Sequence, residues 1–257
     1  MDKNTAKTTD WPEPHDLWAA FSLLTRLPVP VAHGRAGERT AHAVWAYPIV
    51  GAVISALGAL VAWGLSSLGA PGLVAALVAV MTMILATGAL HEDGLADCAD
   101  GLMGGGTPER RLEIMRDSQV GSYGALALVS SVGLRAACLA ALIPQGLLAV
   151  IAVGALSRAA MVLVATTVPD ARRTGLGQGF GQAPKAALWL CLALSLGAAL
   201  LIGPLSGALV VIVGGAWVAL FALTAKRLIG GRTGDVLGAS QQIFEMAGLV
   251  VLILTLA

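Results

Sequence analysis

The chain has 257 residues, of which 57% are hydrophobic and 12% charged, with 16 basic residues against 15 acidic ones and a mean hydropathy of +0.81. A soluble domain carries roughly a quarter of charged residues, so a water-soluble globule is excluded and a polytopic membrane protein is expected. The basic residues lie in separate clusters with no basic stripe interleaved with aromatics, which excludes a nucleic-acid partner, and the three cysteines lack the spacing of a disulfide framework or a zinc site.

Met1 to Asp16 is polar and mixed in charge, without the apolar core of a signal or transit peptide, and residues 1–40 are expected as a cytoplasmic N-terminal segment. Apolar runs of spanning length then follow at Val44 to Leu68, Pro71 to Leu90, Tyr123 to Ile143, Gly146 to Val168, Ala183 to Ile202, Leu205 to Thr224 and Val236 to Ala257. They predict an all-α bundle of about seven transmembrane helices, a single domain over 1–257 with the lipid bilayer as its solvent. Lys3, Lys7, Arg26, Arg35 and Arg39 precede the first run, Arg110, Arg111 and Arg116 follow the second, Arg172, Arg173 and Lys185 the fourth, and Lys226, Arg227 and Arg232 the sixth. The alternate connections at Gly69 to Pro71, Pro144 to Gly146 and Gly203 to Pro204 are short and uncharged. Every basic loop therefore falls on one side, read as the cytoplasm, with the C-terminus outside. No fixed-period repeat is visible.

The acidic stretch Ala89-Leu90-His91-Glu92-Asp93-Gly94-Leu95-Ala96-Asp97-Cys98-Ala99-Asp100-Gly101 closes the second run. In a helix, Asp93, Asp97 and Asp100 fall at i, i+4 and i+7 and stack on one face, where like charges repel unless a cation lies among them. Clustered carboxylates suit a hard ion, so Mg²⁺ is the expected cofactor, with Asp93, Asp97 and Asp100 as its ligands and Asp100 as a candidate general base. His91 is a candidate partner of this cluster, or a solvated interfacial histidine.

Gly104-Gly105-Gly106 followed by Thr107-Pro108-Glu109 predicts a hinge and the start of a short amphipathic helix. Asp117, at the mouth of the third run, is a candidate for touching metal or substrate. Asp170 to Gly181 and Arg227 to Gly238 are glycine-rich loops whose arginines could bind phosphate or merely satisfy topology. Asp235 could join the ion site, orient a substrate or cap the last helix. Within the apolar runs, Arg135, Arg158 and Glu245 are costly enough to demand a partner or a function: Arg158 is a candidate for phosphate neutralisation, whereas Arg135 could pair with Glu245 or snorkel. A carboxylate-held cation with converging arginines is a kit for phosphoryl transfer by direct attack of an acceptor hydroxyl. A cation-coupled transporter is the alternative from another class, although its acids belong near the midplane on broken helices rather than at one interface.

The ordered set Thr25-Arg26-Leu27-Pro28-Val29-Pro30, His91 to Gly101, Ile114-Met115-Arg116-Asp117-Ser118 with Gly121, Ser157-Arg158, Ala171-Arg172, and Gly231-Arg232-Thr233-Gly234-Asp235 with Gly238-Ala239 resembles the cobalamin synthase (adenosylcobinamide-GDP ribazoletransferase) family nearly end to end. Glu92 is a departure from the resemblance, which implies an apolar residue there in most members. The resemblance implies a bacterial-type inner-membrane enzyme that joins adenosylcobinamide-GDP to α-ribazole or α-ribazole 5′-phosphate, releasing GMP. It implies Asp93, Asp97 and Asp100 as metal ligands, Asp97, Asp100 and Asp117 as catalytic candidates, and Arg116, Arg158, Arg172 and Asp235 as substrate or phosphate contacts. A CDP-alcohol phosphotransferase acting on lipids would use the same metal logic, and homo-oligomerisation stays open.

Overall fold

The computed structural model describes residues 10–171 and 182–256, and Arg172, like the rest of 172–181, lies outside them. Eleven α-helices run through the described residues: α1 (Pro14–Leu24), α2 (His33–Glu38), α3 (Tyr47–Ser67), α4 (Gly72–Thr87), α5 (Leu90–Gly104), α6 (Pro108–Ile114), α7 (Ser122–Leu142), α8 (Leu148–Thr167), α9 (Lys185–Ile202), α10 (Pro204–Ile229) and α11 (Gly234–Leu256). Six of the described helical segments are long and apolar enough to cross a membrane, and α4 with α5 makes a seventh crossing if that bent pair counts as one. The all-α polytopic architecture is as expected.

The second apolar run and the acidic stretch are separate helices. They meet at 91° because Gly88 (φ 64°) and Ala89 (φ 59°) are both left-handed, and Ala89 is the only described non-glycine residue with positive φ. A left-handed alanine is strained, so packing around the elbow must hold it. The Arg26 N–H donates to the Ala86 carbonyl at 2.7 Å, docking the segment after α1 on the end of α4. Upstream, the Arg39 guanidinium donates to both oxygens of Asp16, at 2.7 and 2.9 Å, joining α1 to the residue that ends α2. Burial would raise the Asp16 carboxyl, but these bonds and the Glu13 N–H hold it below the usual carboxylate range.

Helices α8 and α11 are the most buried spans, while α9 and α10 leave most of their surface to lipid. Backbones of α3 and α8 touch through Gly51 and Gly154, where a Cβ on either would collide with the other helix. Such small-residue contacts replace the hydrophobic drive that lipid removes. The basic connections gather at one end of the bundle: α5 reaches the start of α7 and the start of α11, and the end of α8 meets the end of α10.

A buried polar ring ties α5 into this bundle. Arg135 on α7 donates to Glu92 on α5 at 2.7 Å and to Glu245 on α11 at 2.9 Å, and Arg158 on α8 donates to the other oxygen of Glu245 at 2.9 Å. Gln242 donates to Glu92 at 2.9 Å, and Gln241 reaches both Ser157 and Glu245. The sequence left Arg135 between pairing and snorkelling; the structure pairs it. Two guanidinium and two carboxylate groups cancel, which is the condition for keeping four charges inside an apolar bundle.

Charge balance makes a prediction. Arg135→Met leaves two buried carboxylates against one cation and should cost roughly 3–5 kcal/mol, read as a lowered unfolding temperature in detergent. Adding Glu92→Leu restores neutrality and should return much of that loss. A double variant no more stable than Arg135→Met would contradict the balance argument.

Candidate active site

Helix α5 is a wedge between α7 and α11, and its composition dictates its faces. His91, Glu92, Gly94, Leu95 and Cys98 are buried, whereas Asp93 is exposed and Asp97 and Asp100 are half-buried on the opposite stripe. The predicted i, i+4, i+7 stacking is therefore present as one helix face. The three carboxylates nevertheless serve different neighbours. Asp100 accepts from the Gly121 N–H at 2.8 Å and the Gly124 N–H at 2.9 Å, one bond to each oxygen, so it caps the start of α7. A Cβ at Gly121 would stand 2.5 Å from Asp100, which explains the glycine. The Asp93 carboxylate has no hydrogen bond or ion pair among the described residues, and it faces solvent within the first turn of α5. Asp97 lies one turn further along and is half-buried. Among the described residues, no group of three or more His, Cys, Asp or Glu side chains is arranged to hold an ion, and both Asp100 oxygens accept N–H groups at the start of α7.

The second wall is the start of α11. Gly94 lies against the Asp235 backbone, where a Cβ would meet its carbonyl oxygen at 2.7 Å, and Gly238 lies against Leu90 and His91. Two glycines thus bring Asp235 to the same helix as Asp93 and Asp97. Asp235 is not the cap of α11: Thr233 accepts the Val236 N–H at 3.3 Å and itself donates to Asp235 at 3.1 Å. The loops at the ends of α8 and α10 are clipped together, since Arg232 N–H donates to Pro169 at 2.8 Å, Ala171 N–H donates to Arg232 at 2.9 Å, and the Arg232 guanidinium pairs with Asp170 at 2.8 Å. Burial lowers the Arg232 guanidinium below its ordinary range, with the Asp170 carboxylate pulling the other way.

The remaining predicted residues divide between surface and interior. Thr107 caps the short helix α6 as its sequence predicts, accepting the Arg110 N–H at 3.3 Å. Met115 is buried against Gly101 of α5, and so carries the exposed Arg116 and Asp117 past the Asp100 end of the wedge. Asp117 accepts the Gln119 N–H at 3.1 Å, and Arg116 has no side-chain partner among the described residues. Arg158, expected at phosphate, is 3% exposed and bonded to Glu245 and Ser157. His91 is also buried, on the side of α5 that meets Gly238. Gly94 and Gly238 as contact residues and Thr233 as cap escaped the sequence reading, although a threonine two residues before Asp235 is an ordinary cap signal.

Residues 16–253 match the family model described as cobalamin-5-phosphate synthase. A relative from Azorhizobium caulinodans, named adenosylcobinamide-GDP ribazoletransferase, is 47% identical over 250 residues, covering 91% of this chain and 94% of the relative. Relatives of the same name from Rhizobium etli (45% identical, 92% of this chain, 95% of the relative) and Bradyrhizobium diazoefficiens (43%, 94% and 93%) extend the likeness. No solved structure matches the chain significantly. With its acidic helix, glycine contacts and clipped loops all inside the matched region, this multi-pass membrane chain belongs to the cobalamin-5-phosphate synthase family of cobalamin-forming transferases.

Proposed function

We propose that the α5 face carries an Mg²⁺-dependent transfer of the adenosylcobinamide phosphate from adenosylcobinamide-GDP to a hydroxyl of α-ribazole or α-ribazole 5′-phosphate, with GMP as the leaving group. The observation that carries this reading is the open Asp93 carboxylate on a helix wedged against Asp235, within a chain alike over nearly its whole length to transferases of that name. The donor set fits the ion. Asp93 and Asp97 are oxygen donors one helical turn apart, and Mg²⁺ usually takes one or two carboxylates and completes its shell with substrate phosphates and water. When bound, the ion supplies charge neutralisation on the diphosphate and on the departing GMP.

The chain's own groups do the rest. The acceptor oxygen attacks the cobinamide-linked phosphorus, the bond from that phosphorus to the GMP oxygen breaks, and the hydroxyl proton passes to a carboxylate of the α5 face. Arg116, exposed and unpaired among the described residues, and Arg172 are the proposed phosphate contacts; Asp117 and Asp235 flank the two ends of the wedge. Asp100, with both oxygens engaged, holds the start of α7 in register with the face. The gathering of basic loops at one bundle end supports a cytoplasmic site in a bacterial-type inner membrane, with the C-terminus outside. A reporter fused at the C-terminus should therefore be active only outside the cytoplasm; cytoplasmic activity would reverse this orientation.

Detergent-solubilised protein given adenosylcobinamide-GDP and α-ribazole should release GMP and corrinoid product one for one, in a single turnover abolished by chelation. Release of CMP from a CDP-linked lipid, with no GMP from the corrinoid, would instead support a CDP-alcohol phosphotransferase. Asp97→Asn should lose turnover while inserting normally and keeping its unfolding temperature, because a neutral amide cannot hold the ion but fits the same half-buried position. Loss of insertion in that variant would assign Asp97 a structural role.

A further inference from the structure

The arginine census leaves one basic residue near the wedge without a task. Arg35 and Arg39 pair with Glu13, and Arg39 also with Asp16. Arg110 pairs with Glu113, Arg135 and Arg158 with the buried glutamates, and Arg232 with Asp170. Arg26 is exposed and has no side-chain partner among the described residues, yet its position is built with care. Its N–H is fixed to Ala86 at 2.7 Å, and the preceding Thr25 hydroxyl donates to Phe21 at 2.7 Å and accepts from Leu27 at 3.2 Å. The side chain then folds across Gly88: a Cβ there would stand 2.5 Å from the Arg26 Nε and 2.8 Å from its Cγ. Gly88 is therefore doubly required, for its left-handed φ and for the room it leaves the arginine.

The guanidinium thus sits over the strained elbow from which α5 begins, one helical turn before Asp93. A cation there with purely structural work would be expected to pair with an acid of that first turn, and Glu92 and Asp93 are both available by sequence. Glu92 is instead bonded to Arg135 and Gln242, and Asp93 has no partner among the described residues. Arg158, the arginine expected at phosphate, is spent in the buried ring. A guanidinium with no carboxylate partner among the described residues, lying over the elbow one turn before an open carboxylate, offers the two groups that a metal-bound diphosphate requires: the carboxylate for the ion, the planar fork for phosphate oxygens.

We propose that Arg26 is a contact for the diphosphate of the nucleotide-linked donor. This rests on the nucleoside-diphosphate reading of the α5 face given above and adds to it a residue at the opposite end of the wedge from Arg116. The shared chemistry is a phosphate oxygen, which a lipid headgroup could also offer.

The test is GDP and guanosine binding to the full chain in nanodiscs, with Mg²⁺, in neutral lipid and again with added anionic lipid. In neutral lipid, Arg26→Gln should weaken GDP binding by about tenfold or more, the loss of one charge-assisted bidentate contact, while guanosine binding is unchanged. Arg26→Lys should recover part of the loss, keeping charge without the fork, and Gly88→Ala should mimic Arg26→Gln by displacing the side chain. Arg110→Gln, an exposed arginine of α6 paired with Glu113, should bind GDP as the unmodified chain does. Unchanged GDP affinity in Arg26→Gln, or equal weakening of GDP and guanosine, would overturn the proposal, as would an effect seen only with anionic lipid, which would assign the guanidinium to headgroups. If the unmodified chain binds no GDP, the nucleotide-donor reading itself fails, and Arg26 with it.

Discussion

The neutral ring of Glu92, Arg135, Glu245 and Arg158 is the constraint on which the rest of the architecture turns. It joins α5, α7, α8 and α11 through side chains that are almost wholly buried. Glu245 lies eleven residues beyond the start of α11, about 16 Å along the helix at 1.5 Å per residue, so the ring reaches well into the bundle. Burying four charges is expensive and contributes little net stability compared with apolar packing. What it supplies is specificity: each carboxylate has one arrangement in which its charge is met, and that arrangement sets the rotation of α5. Glu92 faces inward, and the helical period then obliges Asp93 and Asp97 to face outward.

Close approach by small residues completes the positioning. Gly94 and Gly238 let α5 and α11 meet backbone to backbone, which is why Asp235 arrives beside the acidic helix. The elbow at Gly88 and Ala89 performs the complementary task, ending an apolar helix and starting an acidic one at a right angle. A straight continuation would carry the aspartates on past the bundle; the bend lays them across the starts of α7 and α11. The strain at Ala89 is sustained by the Arg26 segment docked on Ala86 and by the ring one turn further on.

The acids of α5 therefore divide into three kinds of work although they look alike in sequence. Glu92 balances charge, Asp100 satisfies the orphan N–H groups at the start of α7, and Asp93 remains open. Glu92 has a physical reason in this chain: without it the ring would hold two guanidinium groups against one carboxylate. The outward face is left with few carboxylates, and an ion bound there as proposed above would share its shell with a diphosphate rather than sit in a closed protein cage.

Much of this was legible in the sequence. Seven apolar runs predicted the helices, Thr107 predicted α6, and the i, i+4, i+7 aspartates predicted one acidic face. These are properties of composition and local periodicity, which a helix in lipid must obey because its backbone bonds are internal and its side chains meet hydrocarbon. The tertiary structure alone decided which charge meets which. Arg135 and Glu92 are 43 residues apart, and Arg158 and Glu245 are 87 apart. Partner choice at such separations depends on how helices pack, so the sequence could name Arg158 and Asp100 as site candidates but could not show that one is drawn into the buried ring and the other onto α7.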